Sequence, residues 1–120
     1  MSAYLLIIST QAPYHSSAAI DAFEAALAAS NVGLQVKILL EDDGVYQCVE
    51  SQQAESIFHK NTYKKLCSLP LYDIEDIYVD KASIDFRGLR ITNDGKLSYS
   101  IINQDDVLLL KRASQQILVF

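Results

Sequence analysis

Two cysteines, two histidines and a run of carboxylates are the residues of this 120-residue chain with types suited to chemistry. Cys48 and Cys67 form no Cys-x-x-Cys, and neither His15 nor His59 stands at zinc-ligand spacing from them, so no metal site is expected. Cys67 shares a helical face with Tyr63 and Leu66, where a thiol behaves as a small hydrophobe. Cys48 recurs with Val45 and Val49 at the same spacing, which favours burial; its nearness to polar segments keeps it as a weak candidate nucleophile. Glu41-Asp42-Asp43 offers hard oxygen ligands. Consecutive carboxylates do not all converge on one ion, so a solvated turn is the better reading. His15 lies in a polar loop with no serine or cysteine fixed beside it, and reads as incidental. Asp80 is the most informative residue. It follows Ile77-Tyr78-Val79, a β-branched and aromatic strand signal, and precedes a short helical spacing over residues 82–87 closed by Gly88. Aspartate is a preferred N-cap, and glycine past the last turn takes the left-handed conformation, so residues 72–89 read as strand, capped turn and short helix.

The elements that must position these residues alternate. Tyr4-Leu5-Leu6-Ile7-Ile8 is a continuous apolar run, as in a strand buried on both faces. After a polar loop, Ser16 or Ser17 caps a helix running to about Ala29, with Ile20, Phe23 and Leu27 as its expected stripe, ended by Asn31-Val32-Gly33. Residues 34–40 form a second strand, and a short helix starts at Gly44 or Val45. Residues 50–55 read as a loop and Ile57-Phe58 as an isolated apolar pair. Asn61 or Thr62 caps another helix, which Pro70 terminates. Beyond the Asp80 stretch, Asn93-Asp94-Gly95 signals a turn, and alternating Leu97, Tyr99 and Ile101 predict a short edge strand or extended loop. Asn103 or Asp105 caps a helix over residues 106–114 with Val107, Leu110 and Leu108 on its core side, and residues 116–120 form the last strand. Strands alternating with helices imply right-handed crossovers. The expectation is one α/β domain over residues 1–120: three layers, with a mostly parallel sheet of about five strands.

In such a sheet ligands gather at the carboxyl ends of the strands. Ser9, Thr10, Gln11, His15, Asp43, Asp80 and Lys81 should therefore share one edge. A phosphate loop there would use Ser9, Thr10, Ser16 and Ser17, but glycines are missing. A phosphoacceptor receiver is unsupported, because the first strand ends in Ser9-Thr10 and not in acids. Net charge is −5, which disfavours unaided nucleic-acid binding. Half the residues are hydrophobic and 21% are charged, a globular composition. No apolar run approaches the ~20 residues of a membrane span, and the first residues do not make a signal peptide. With so few cysteines a reducing compartment is the default, so a cytoplasmic protein without cofactor or membrane contact is expected.

Five pieces recur in a telling order: Ile7-Ile8-Ser9-Thr10-Gln11-Ala12-Pro13-Tyr14, Asp43-Gly44-Val45-Tyr46-Gln47, Leu71-Tyr72-Asp73-Ile74-Glu75, Arg87-Gly88-Leu89 and Ile117-Leu118-Val119-Phe120. Over the whole chain this resembles the DsrE/DsrF-like sulfur-relay family, and within it the TusC/DsrF subunit. The resemblance implies a heterohexamer with TusB/DsrH-type and TusD/DsrE-type subunits. Such complexes pass persulfide sulfur toward wobble 2-thiouridine of transfer RNA, or serve intracellular sulfur oxidation. It also implies that Asp80 occupies the turn where the TusD/DsrE subunit carries its sulfur-accepting cysteine. A carboxylate there gains the same electrostatic support but forms no persulfide. The expected role is an accessory subunit, with Tyr46, Tyr72 and Tyr99 as interface candidates that would serve equally as half-buried tyrosines. A sulfurtransferase using Cys48 or Cys67, and a homo-oligomeric small-anion-binding module, remain as alternatives.

Overall fold

A computed structural model describes residues 3–13, 17–48, 57–90 and 96–120, with the backbone alone described over 57–61. In chain order the elements are β1 (Leu5–Ser9), α1 (Ala18–Asn31), β2 (Val36–Leu40), a 3₁₀ segment (Asp42–Cys48), α2 (Ile57–Ser68), a second 3₁₀ segment (Leu69–Tyr72), β3 (Asp76–Asp80), α3 (Lys81–Phe86), β4 (Ser100–Ile102), α4 (Gln104–Ala113) and β5 (Gln116–Val119). The five strands form one sheet in the order β4-β3-β2-β1-β5, and every adjacent pair is parallel.

That order dictates the layers. From β1 to β4 the chain steps steadily toward one edge, so right-handed crossovers put α1, α2 and α3 on the same face. The return from β4 to β5 runs the other way, and the same hand puts α4 on the opposite face. The packing agrees. The larger core joins Leu5, Ile7, Ile38, Leu40, Ile77 and Val79 to residues of α1, α2 and α3. The smaller one joins Tyr4, Leu6, Ile8 and Leu39 to Val107 and Leu110 of α4. Each inner strand alternates between the two, so its near-continuous apolar sequence is buried on both sides. On the α4 face Lys37 breaks the run, with its ammonium 4.4 Å from the ring centre of Tyr4. No helix among the described residues is long and apolar enough to cross a membrane.

Several details depart from the sequence reading. The buried stripe of α1 is Ala19, Ala22, Phe23 and Ala26, with Ile20 and Leu27 only half-buried. Small side chains let this helix sit close to the sheet, and the larger residues flank the contact. α2 begins at Ile57, so the Ile57-Phe58 pair belongs to its first turn and the cap is not at Asn61 or Thr62. The polar His59-Lys60-Asn61 that follows hides the helical period. β2 starts at Val36, two residues later than expected, because Leu34 donates its N–H back to Ala29 in closing α1. α4 runs two residues further toward its N-cap, Asn103, whose side chain accepts from the Asp106 N–H at 2.9 Å. Leu108 is 45% exposed and takes no part in the core, since only Val107 and Leu110 face the sheet. The Asn93-Asp94-Gly95 turn lies outside the described residues.

Candidate functional site

The carboxyl ends of β1, β2 and β3 are brought together by the Asp42–Cys48 segment. Asp42 has φ 53°, a left-handed conformation that aspartate tolerates better than most residues. It turns the chain sharply after β2. Gly44 follows, and it must be glycine: a Cβ there would overlap the carbonyl of Ser9. The segment thus presses backbone to backbone on the end of β1. Gln47, 2% exposed, fixes it there by donating Nε2 to Ser9 Oγ at 2.7 Å and to the Gln11 carbonyl at 2.9 Å.

The same segment is tied to α3. Asp80 is the last residue of β3 and the N-cap of α3, and it is 8% exposed. Its carboxylate does not accept from a backbone N–H of the first turn, contrary to the expected cap. It accepts instead from Ser83 Oγ at 2.6 Å, and Ser83 Oγ in turn accepts from the Asp42 N–H at 2.9 Å. Arg87 adds a second tie, with Nε 2.9 Å from Asp43 Oδ1 and a donation from Nη1 to the Ser83 carbonyl at 3.2 Å. Gly88, at φ 62°, ends α3 in the left-handed conformation.

The anticipated edge residues are therefore near one another but mostly engaged. Ser9 is buried beneath Gln47. Thr10 donates its hydroxyl and its N–H to the Phe120 carbonyl, both at 2.8 Å, which joins β5 to the edge. Gln11 is exposed. Lys81 turns along its helix to Asp85 at 2.7 Å, Arg87 pairs with Asp43, and Lys111 reaches Glu41 at 3.0 Å. His15 lies outside the described residues. Of the aromatic candidates, Tyr46 is half-buried, Tyr99 packs partly against the larger core, and Tyr72 is 45% exposed. Among the described residues no three His, Cys, Asp or Glu side chains gather closely enough to hold a metal ion.

Neither cysteine is in a disulfide. Cys48 is 4% exposed, its thiol lies 3.0 Å from the Val45 carbonyl as donor, and burial pushes it up to about 12. At neutral pH it holds its proton, the reverse of an activated nucleophile. Cys67, half-buried, lies in the last turn of α2, which leads into the segment before β3. It therefore sits toward the amino-terminal edge of the sheet, opposite the Asp80 corner. Sequence reasoning singled out Asp80 and Asp43 but not Ser83, Gln47 or Arg87. No periodicity marks a glutamine or serine as buried; only the fold reveals which polar groups face it.

Comparison with known proteins gives one answer at three levels. The fold matches the crystal structure of the YchN protein of E. coli, with a TM-score of 0.73 over 98% of this chain and 99% of that one, at 19% identity. In sequence the chain is 37% identical over 89 residues to a TusC homologue of Pseudomonas aeruginosa, covering 74% of this chain and 75% of the relative. It is 28% identical over 102 residues to the TusC protein of Buchnera aphidicola, covering 85% and 86% respectively. A family model described as DsrE/DsrF-like matches residues 3–120, essentially everything from β1 to β5. With that match spanning the sheet, both helical layers and the corner around Asp80, the chain belongs to the DsrE/DsrF-like family.

Proposed function

We propose that this chain is an accessory subunit of a cytoplasmic sulfur-relay complex and does not itself carry sulfur. Its partners would be sibling chains of the TusB/DsrH and TusD/DsrE types in a heterohexamer. The complex would pass persulfide sulfur toward wobble 2-thiouridine of transfer RNA, or serve intracellular sulfur oxidation. Family membership and the TusC relatives support the relay role. The observation that carries the accessory role is Asp80 at the β3–α3 corner, hydrogen-bonded to Ser83. Sulfane transfer requires a thiolate that attacks the outer sulfur of a donor persulfide, forms a new S–S bond and releases the donor as a thiolate. An aspartate oxygen cannot form that bond. Cys48, the sulfur nearest this region, is buried and protonated. Its placement disfavours the sulfurtransferase alternative. The pairing of Lys81, Arg87 and Lys111 with carboxylates disfavours the small-anion module.

The test is sulfur loading. The purified chain, treated with a low-molecular-weight persulfide and read by intact mass, should gain no stable sulfur on either cysteine. Asp80→Cys should gain one sulfur atom, because it places a thiol at a helix N-cap. Stable sulfur on the unaltered chain, lost in Cys48→Ser or Cys67→Ser, would overturn the accessory reading.

A further inference from the structure

The outward side of α4 is a single stripe. Asp105, Leu108, Leu109 and Arg112 follow one another at i, i+3, i+4 and i+7, and all four are exposed, the leucines by 45% and 62%. The inward residues, Val107 and Leu110, are buried. Favourable interaction with the helix dipole accounts for an acid in the first turn and a base in the last. It does not account for two adjacent leucines held in water between them. Among the described residues neither Asp105 nor Arg112 has an ion-pair partner. Among the described residues α4 is also the sole helix on its face of the sheet, and none of them covers the stripe.

We propose that the stripe is a self-association surface, covered by α4 of a second copy of this chain running antiparallel about a twofold axis. The order acid, leucine, leucine, base is self-complementary only in that arrangement. Leu108 faces Leu109 of the second copy across the axis, and Leu109 faces its Leu108. Asp105 faces Arg112 of the second copy, and Arg112 faces its Asp105. A parallel pair would set acid against acid and base against base. An unrelated partner would need no such palindrome of charge. A twofold contact is isologous, so one patch serves both copies. The partner is thus identified from the stripe itself, and the proposal stands apart from the sulfur-relay reading.

Sedimentation equilibrium of the full chain at neutral pH and low salt tests this. The expected mass is two copies. Leu109→Ser should weaken association by about tenfold or more, because it removes an apolar contact from the centre of the patch. Asp105→Arg and Arg112→Asp should each weaken it by about tenfold, since each sets like charges face to face. The double variant should return to within about threefold of the parent, because reversed pairs again match. If the charge reversals unfold the chain, as read by its thermal melt, Asp105→Asn and Arg112→Gln replace them, each expected to weaken association about threefold. Three results would overturn the proposal: a single-copy mass at about 100 μM, a dimer indifferent to these changes, or a double variant as weak as its two single changes combined. The last is what the helix dipole alone produces, since reversal at both ends harms α4 itself.

Discussion

Cys48 shows how environment decides what a residue can do. Its thiol keeps its proton to about pH 12, against an ordinary value of 9.0, because burial disfavours the thiolate. Above pH 9.0 the unfolded chain releases this proton while the folded chain retains it, so stability falls as pH rises through the window up to about 12. Below 9.0 the group has no effect. The slope approaches about 1 kcal/mol per pH unit. Urea unfolding of Cys48→Ala should show a shallower alkaline decline than the parent, the remainder coming from Tyr4 and Tyr78, whose hydroxyls burial also raises. Gly44 is governed by space and not by charge. Gly44→Ala should cost about 1–3 kcal/mol, since its methyl collides with rigid backbone at Ser9; a lower urea midpoint with unchanged denaturant slope would register it. At this scale the corner was half legible. Asp80 stood out because strand and helix signals flank it, and its N-cap position holds. Its hydrogen bond to Ser83 was not foreseeable, because the alternative donors of the first turn lie just as near in sequence.

At the scale of elements, legibility followed the length of the apolar signal. β1 and β3 are short, fully apolar in their centres and bounded by polar residues, and both were placed within a residue or two. β4 is three residues long: the alternation of Leu97, Tyr99 and Ile101 left an edge strand or an extended loop open, and the strand is at an edge but holds only Ile101 of the three. The start of α2 was hidden because polar residues follow its first apolar pair. The Leu69–Tyr72 turn was hidden because Pro70 reads as a stop, although it suits the start of a 3₁₀ segment. α4 has the clearest boundary, since Asn103 caps it by accepting from Asp106. Asn103→Ala should cost about 1 kcal/mol. For a chain of this size that is a melting-temperature decrease of about 3–6 °C, measurable by circular dichroism. A decrease under one degree would mean that packing of Val107 and Leu110 alone fixes the helix.

At the scale of the molecule, the alternation of strands and helices was enough to give a parallel α/β sheet, and the handedness of its crossovers explains why three helices share one face and one takes the other. Strand order was not legible. Whether the chain doubles back past β1 depends on the final packing of α4, which no local pattern encodes. That doubling back leaves β5 at the rim, where among the described strands it pairs with β1 alone. All four of its residues are exposed, and residues 115–120 include neither charge nor proline. Such a strand lacks the gatekeepers that discourage templated stacking of one polypeptide on the next. Concentrated or partly denatured preparations should therefore precipitate with β-rich character, nucleated at Ile117, Leu118 and Val119. Val119→Lys, at a position 63% exposed, should raise the soluble fraction on heating with little loss of folded stability, as a sedimentation assay after thermal stress would reveal.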